Sequence, residues 1–209
     1  MRQARIAVLD YGIGNLGSAY KALVHLGARA ELVTSPEQAR GAVGVVLPGV
    51  GAFGPCMSSL RRAGFEDVVA GALATQVPLL AICVGLQMLY EGSEEDPEVA
   101  GLGVLPGTVR ALPEGVKRPQ MQWNHLEPTM SGSRLFGTLG EHRWVYFVHS
   151  YAPPASPEVV ATCDYGGPVV AAVERGSLWG TQFHPEKSGR SGLALLAGFV
   201  AACWCREAG

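Results

Sequence analysis

The 209-residue sequence lacks the features of a membrane protein, of a secreted protein and of a zinc or redox-active cysteine site. Its apolar runs are far shorter than a membrane span, and its N-terminus has no basic segment followed by an apolar one. The five cysteines are an odd number without zinc-ligand or Cys-x-x-Cys spacing. We therefore expect a cytoplasmic protein whose thiols are reduced.

Concentrated positive charge is also missing. Lysine and arginine are scattered, and 16 of them against 18 acidic residues leave a formal net charge of -2. Nucleic acids and anionic membranes bind to concentrated positive charge, so we expect neither as a partner. The sequence has no repeat and no linker long enough to divide it, and its length suits one substantial core. We predict a single domain over residues 1–209.

The order of apolar segments predicts the fold class. In the first half they alternate with amphipathic segments, which is the pattern of βαβ units and of parallel strands. The predicted strands there are residues 5–10, 30–34, 43–47 and 79–82, and the helices are residues 16–26, a short one after Ser35, and a helical stretch between Gly54 and Pro78. After residue 100 the closer spacing favours antiparallel strands in the same sheet, over residues 103–112, 144–149, 159–163, 169–174 and 178–183, with a final helix over 191–205. The predicted fold is α/β, an open mixed, mainly parallel sheet with helices on both faces and antiparallel strands in the C-terminal half.

Cys83 has the surroundings of a nucleophile. It follows a fully apolar strand in Ala-Ile-Cys-Val-Gly, with small residues, Ala81 and Gly85, two positions before and after it. This is the layout of a nucleophile elbow, a sharp strand-to-helix turn that lifts the reactive side chain clear of the sheet. The N-terminus of the next helix favours a thiolate, and the Val84 N–H is the natural oxyanion donor. Considered alone, Cys83 fits a buried core thiol better, because free cysteine is among the most buried residues.

A base for this cysteine lies in Gln-Phe-His-Pro-Glu. His184 ends an apolar strand, and residues two apart in an extended chain point to the same side, so Glu186 can orient the imidazole. We predict that His184 takes the thiol proton and later returns it to the leaving group, while Glu186 holds the tautomer. Without the elbow, a surface pair or part of a metal site fits these two residues as well.

A glycine-rich turn, Pro48–Gly54, follows the third predicted strand directly. It has neither the Gly-Lys-Ser/Thr ending nor the Gly-x-Gly-x-x-Gly spacing of phosphate-binding loops. Its position at a strand end favours a role in the site, since glycines let peptide N–H groups face a developing oxyanion. An ordinary tight turn competes with this interpretation.

Together these motifs resemble the class I (triad) glutamine amidotransferases, in which Cys-x-Gly-x-Gln and His-Pro-Glu mark the site. The resemblance spans the chain. Within the family, residues 10–15, 48–53 and 184–188 look like the glutaminase subunits of imidazole glycerol phosphate synthases. Pro-Gly-Val-Gly at residues 48–51 is the discriminating feature, because relatives that serve anthranilate, GMP or pyridoxal phosphate synthesis usually carry a different sequence there.

The resemblance implies a glutaminase without cofactor or metal. Cys83 would form a glutamyl thioester and release ammonia before water frees glutamate. The ammonia would pass through a tunnel to a (β/α)8-barrel cyclase subunit, which makes imidazole glycerol phosphate and aminoimidazole carboxamide ribotide in histidine biosynthesis. The Gly49–Val50 peptide would supply a second oxyanion donor from Val50, by a rotation that partner binding triggers. Matching positions place the substrate glutamine near Gly51, Gln87, Glu95, His149, Ser150 and Tyr151.

The resemblance also implies a heterodimer whose interface includes Asn15, Trp123 and Lys187. One stretch departs from the family, which commonly reads Pro-His-Met-Gly-Trp-Asn where this chain has Pro-Gln-Met-Gln-Trp-Asn at residues 119–124. Gln120 and Gln122 therefore leave the detailed contacts of the interface open. From the sequence, an ordinary core tryptophan fits Trp123 equally well.

Three other functions remain open at this stage. The chain could be a glutaminase that feeds another synthase. It could be a cysteine peptidase or γ-glutamyl hydrolase of similar architecture, which would need no partner. A non-catalytic binding module that keeps the fold is the third, and the joint presence of Cys83, His184 and Glu186 argues against it.

Overall fold

The structure is a computed structural model that describes residues 5–13, 16–129, 132–141 and 143–205. Within these ranges no helix is both long enough and apolar enough to cross a bilayer. The elements of the first half are β1 Arg5–Leu9, α1 Leu16–His25, β2 Arg29–Val33, α2 Pro36–Ala39, β3 Gly44–Leu47, α3 Phe53–Arg62, α4 Glu66–Ala74, β4 Leu79–Ile82 and α5 Val84–Gln87. Those of the second half are β5 Gly92–Ser93, β6 Thr108–Ala111, β7 Gln120–His125, β8 Glu127–Pro128, α6 Arg134–Gly137, β9 Trp144–His149, β10 Tyr151–Ala152, β11 Val159–Asp164, β12 Pro168–Arg175, β13 Leu178–Thr181, a 3-10 turn Pro185–Lys187 and α7 Gly189–Cys205.

An eight-stranded mixed sheet forms the centre of the fold, in the order β2-β1-β3-β4-β13-β12-β11-β8. The strands from β2 to β13 pair in parallel, and those from β13 to β8 pair antiparallel. β3, β4 and β13 are buried along their whole length, as their apolar sequences require. The predicted fold class is confirmed.

Helices cover both faces of this sheet because parallel crossovers are right-handed as a rule, so that connections running in opposite directions place their helices on opposite faces. The chain moves outward from β1 to β2 through α1, and then returns past β1 to β3 through α2, so these two helices lie on opposite faces. α4 packs against α2 on one face, and α7 packs against α1 on the other. This arrangement buries both sides of the parallel strands.

One part of the sequence prediction was wrong. The C-terminal half does not add all of its strands to the central sheet, because β6 pairs with β5 and β10, and β9 pairs with β7 as a separate ribbon. β7 was not predicted, since its polar and largely exposed sequence becomes a strand only through pairing with β9. The helical stretch before Pro78 is two helices, because Gly64 has a φ of 72° and ends the first of them.

The topology gathers the sequence motifs at one edge of the sheet. β3, β4 and β13 are parallel neighbours, so their carboxyl ends meet. The glycine-rich turn follows β3, Cys83 follows β4 and His184 follows β13. Ligand sites in open α/β sheets occupy this edge.

Candidate active site

Cys83 occupies a strained turn between β4 and α5. Its backbone has φ 55° and ψ -115°, which is the first central position of a type II′ turn and is rarely adopted by a side-chain-bearing residue. The Cys83 N–H donates to Thr181 O at 2.7 Å, and the Cys83 carbonyl accepts from Leu86 N at 3.0 Å and Gln87 N at 3.2 Å. The elbow is thus held by β13 on one side and by α5 on the other.

His184 and Glu186 form a buried pair beside the sulfur. The imidazole Nδ1 lies 2.7 Å from Glu186 Oε1, and the two side chains are 2% and 4% exposed. Because Nδ1 is engaged by Glu186, Nε2 is the nitrogen left to face the Cys83 thiol. Burial lowers the pKa of His184, but the hydrogen bonds and charges of Cys83 and Glu186 outweigh burial and raise that pKa above its usual value. The pair is therefore arranged to carry a proton that leaves the thiol.

The backbone around His184 fixes the ring at the strand end. The His184 N–H donates to Tyr146 O at 3.0 Å, which ties β13 to the β7–β9 ribbon. Ser188 Oγ donates to the His184 carbonyl at 2.6 Å and accepts from the Tyr146 N–H at 2.9 Å. Pro185 starts the 3-10 turn that brings the Glu186 carboxylate back to the imidazole. The sequence had indicated an extended chain from His184 to Glu186. In the structure it is instead this 3-10 turn that brings the two side chains together.

A cavity of about 310 Å³ opens above the sulfur. Its wall includes Lys187 and all eight of the residues predicted for substrate and oxyanion binding, which are Val50, Gly51, Val84, Gln87, Glu95, His149, Ser150 and Tyr151. Asn15 lies outside the described residues. A cavity of this volume accommodates a small polar molecule such as an amino acid.

The glycine-rich turn is anchored at Pro48 and at Val50 by side chains that sequence reasoning missed. Tyr11 O–H donates to the Pro48 carbonyl, and Cys56 Sγ donates to the Val50 carbonyl at 3.3 Å. Burial raises the pKa of both groups, that of Cys56 to about 11, so each remains a neutral donor. Neither anchor had a local sequence signal, because each depends on contacts between segments distant in the chain.

Glu95 reaches the same turn from the other side of the cavity. Its Oε2 accepts from the Phe53 N–H at 2.9 Å, and Asp96 Oδ2 accepts from the Gly54 N–H at 2.9 Å. Both amides belong to the first turn of α3, where backbone donors have no partner inside the helix. The two carboxylates thus cap α3, and Glu95 also presents negative charge to the cavity wall.

His149 is a neutral histidine in the cavity wall. Its Nδ1 lies 2.8 Å from the Tyr151 carbonyl, so Nδ1 carries the proton and Nε2 does not. Burial, which outweighs that hydrogen bond, lowers the pKa of His149 to about 4, and the nearby charge of His184 acts in the same direction. His149 therefore accepts a proton only when the fold is strongly acidified.

The lowered pKa of His149 predicts that the folded protein loses stability in acid. Between pH 6.5 and 4 the unfolded chain binds a proton at residue 149 that the folded chain does not bind, so the free energy of unfolding falls as pH falls. The full loss from this residue is expected to be about 3 kcal/mol. Urea titrations across this pH range measure it. His149→Gln should flatten the dependence, whereas His25→Gln, at an exposed histidine of α1, should not. An equally steep curve for His149→Gln would contradict the assignment.

Trp123 is not a core residue. It is 49% exposed on β7 and stacks edge-on against Tyr146 of β9, with ring centroids 6.2 Å apart. His125 and Trp144 form a second such pair on the same ribbon. The core-tryptophan alternative is therefore wrong, and an exposed aromatic face lies beside the cavity.

Comparison with known proteins decides the family. The family model for glutamine amidotransferase class-I matches residues 7–203. The chain belongs to this family. A relative in Synechococcus sp. (strain JA-3-3Ab), named imidazole glycerol phosphate synthase subunit HisH, is 50% identical, and the match covers 96% of this chain and 94% of that one. The subunit of the same name in Moorella thermoacetica (strain ATCC 39073 / JCM 9320) is 45% identical over 93% of both chains.

Solved structures agree with this class I glutamine amidotransferase at the level of the fold. A structure titled "Crystal structure of glutamine amidotransferase" has a TM-score of 0.75 at 23% identity, and covers 95% of this chain and 98% of its own. The structure of PurLQS from Thermotoga maritima has a TM-score of 0.76 at 20% identity, with coverages of 95% and 98%. The family predicted from Cys-x-Gly-x-Gln and His-Pro-Glu is confirmed, as is its likeness to the HisH subunits.

Proposed function

We propose that the chain, as a single glutaminase domain, hydrolyses L-glutamine to glutamate and ammonia and passes the ammonia to a cyclase for synthesis of imidazole glycerol phosphate. The observation that carries this proposal is that Cys83 and His184 both line the cavity, with the His184 imidazole held at 2.7 Å by Glu186. The names of the HisH relatives support the wider role in histidine biosynthesis.

The first half of the reaction makes a thioester. His184 Nε2 takes the thiol proton, and the Cys83 sulfur attacks the side-chain carboxamide carbon of glutamine. The tetrahedral intermediate collapses when the imidazolium gives its proton to the departing nitrogen, which leaves as ammonia. Glu186, held at 2.7 Å from Nδ1, stabilises the imidazolium between these two transfers.

The second half releases glutamate. Water loses a proton to the neutral His184 and attacks the thioester carbon, and the Cys83 thiolate departs. The same backbone donors serve both tetrahedral intermediates. Val84 N–H, at the start of α5 where it has no partner within the helix, is one donor, and Val50 N–H in the anchored turn is the other.

The cavity wall supplies groups for both ends of the substrate. Glu95 offers negative charge to the α-ammonium group, and Gly51, Gln87 and the His149–Tyr151 segment offer polar atoms to the remainder. Both donor bonds of the Gln87 amide are engaged within the protein, to Tyr151 O and Gln182 Oε1. Its own carbonyl oxygen is therefore the atom left for the substrate.

The partner in this proposal is a (β/α)8-barrel cyclase that docks on the β7–β9 ribbon. Cross-strand neighbours place Met121 with Val148, Trp123 with Tyr146, and His125 with Trp144 on one face. Val148 also lines the cavity, so a subunit seated on this face would receive ammonia directly. Lys187 at the cavity rim and Asn15 complete the proposed contact. The complex would work in the cytoplasm, where thiols stay reduced.

Reconstitution with the cyclase tests the function. Glutamine and ammonia are supplied separately as nitrogen sources, and imidazole glycerol phosphate is measured. Synthesis from both sources supports the proposal. Transfer of glutamine-derived ammonia only to a different synthase would overturn the pathway, and efficient cleavage of peptides or polyglutamates without a partner would indicate a peptidase or γ-glutamyl hydrolase.

The docking face has a specific prediction. Trp123→Ala is expected to weaken cyclase binding by about 10- to 100-fold, because buried tryptophans dominate interface energies. Calorimetric titration measures the Kd. Trp204→Ala is the matched control, since Trp204 is similarly exposed, at 44% against 49%, but lies on α7. Equal affinities for the two variants would place the cyclase elsewhere.

A further inference from the structure

A relay of buried amides ends on the reactive sulfur. Gln87 Nε2 donates to the Tyr151 carbonyl at 2.9 Å and to Gln182 Oε1 at 3.0 Å. Gln182 Nε2 in turn donates to Cys83 Sγ at 3.7 Å. Both glutamine side chains are buried, Gln182 completely. The relay connects the cavity wall to the nucleophile without passing through the histidine.

The direction of every bond in this relay is fixed by its first acceptor. A backbone carbonyl can only accept, so the Gln87 atom beside Tyr151 O must be the NH2 group. That NH2 then requires an oxygen from Gln182, which turns the Gln182 NH2 group toward the sulfur. The amide orientation therefore follows from the hydrogen-bond partners, and Cys83 faces an N–H donor.

The donor matters because the sulfur has a competing neighbour. The Val148 carbonyl lies 3.9 Å from Cys83 Sγ, where it favours the thiol by accepting its proton and repels a thiolate. An N–H donor has the opposite effect and favours the thiolate, because hydrogen bonds to charged groups are stronger than those to neutral groups. We propose that Gln182 is a positioning residue, which holds the Cys83 sulfur in place and stabilises its thiolate form through the Gln87–Gln182 relay.

This inference rests on the proposed function, which needs a thiolate, and it extends that function to residues outside the triad. Gln182 touches the nucleophile and not the substrate. Gln87 contributes twice, because it lines the cavity and its nitrogen donates within the relay. The Gln87 side chain thereby links substrate binding in the cavity to stabilisation of the Cys83 thiolate.

The pH profile of alkylation tests the proposal. Iodoacetamide is applied to the full chain from pH 5 to 10, and carboxamidomethylation of the Cys83 peptide is followed by mass spectrometry. Gln182→Met keeps the side-chain length and removes the donor, so alkylation of Cys83 at neutral pH should slow about tenfold and its midpoint should rise by about one pH unit. Gln182→Glu, which replaces the donor by an anion, should shift the midpoint further. Cys205, exposed on α7, is the internal reference in each sample.

Gln120→Met is the matched control. Gln120 is equally buried and its Nε2 donates to another sulfur, Cys163 Sγ, at 3.8 Å. This variant loses the same kind of bond and should leave the Cys83 midpoint unchanged. A purely structural role for Gln182 would lower the melting temperature of its variants without moving that midpoint, and this result would overturn the proposal.

Two further outcomes keep the test decisive. If neither Gln182 variant folds, the side-chain amide proton shifts of Gln182 and Gln120 are followed by NMR in the wild-type chain while Cys83 titrates. A Gln182 signal that does not respond would overturn the inference. Alkylation reads the thiolate whether or not glutamine is the substrate, so a reactive Cys83 in a chain without glutaminase activity would contradict the proposed function alone.

Discussion

Replacement of Cys83 by alanine is expected to abolish glutamine-dependent synthesis in the complex with the cyclase and to leave ammonia-dependent synthesis intact. Without the sulfur no thioester forms, and His184 has no thiol proton to accept. Loss of a nucleophile that acts as one unit with its base typically costs at least about 10,000-fold in turnover. The cyclase needs only the free ammonia, so its own reaction should proceed at the rate of the wild-type complex. Product formation from each nitrogen source is the measurement.

Controls for this experiment come from the same chain. Cys203→Ala removes another completely buried free thiol, on α7, and should retain glutamine-dependent synthesis. Binding of the Cys83→Ala chain to the cyclase should be unchanged, which separates loss of chemistry from loss of the complex. Glutamine-dependent synthesis that survives Cys83→Ala would show that another residue is the nucleophile.

The parallel half of the fold was predictable because its signals are local. β1, β3 and β4 are each largely apolar and bounded by turn residues, and β4 is apolar throughout because both of its faces are buried. β2 mixes charged and apolar residues, but it too lies between turn signals. The predicted bounds of β4 match the structure, those of β1 and β3 differ by one residue at one end, and those of β2 differ by one residue at each end. These local signals were therefore enough to predict that the motifs meet at one edge of the sheet.

The second half was less predictable because its strands depend on partners distant in sequence. β7 carries exposed polar and aromatic residues that form no strand pattern, and it is held by β9, about twenty residues later. The same reason limited the site. His184 and Cys83 could be predicted from strand ends, whereas Tyr11, Cys56 and Gln182 act through contacts between segments that only the folded chain brings together.

Gly85→Ala is expected to be among the most damaging small substitutions in the fold. A Cβ at Gly85 would lie 2.1 Å from the Leu47 carbonyl oxygen, and one at Gly49 would lie 2.4 Å from the Gly85 nitrogen. The backbones of the turns after β3 and β4 are therefore in direct contact. The clash of an added methyl group would be with backbone atoms, which cannot move aside as a flexible side chain could. We expect a loss of at least about 3 kcal/mol in the free energy of unfolding, measured by urea titration.

The same added methyl group should have the opposite effect at Gly71, in the exposed interior of α4. Nothing lies within 4 Å of a Cβ at that position, and alanine is the better helix former, so Gly71→Ala should stabilise the chain by up to about 1 kcal/mol.

Any Gly85→Ala protein that does fold must have moved the turn after β3 away from the turn after β4. Because the anchored turn and the elbow supply the two proposed oxyanion donors, that protein should also lose glutaminase activity. Wild-type stability together with wild-type activity in Gly85→Ala would mean that the two turns do not need this contact, and the proposed oxyanion site would lose its structural basis.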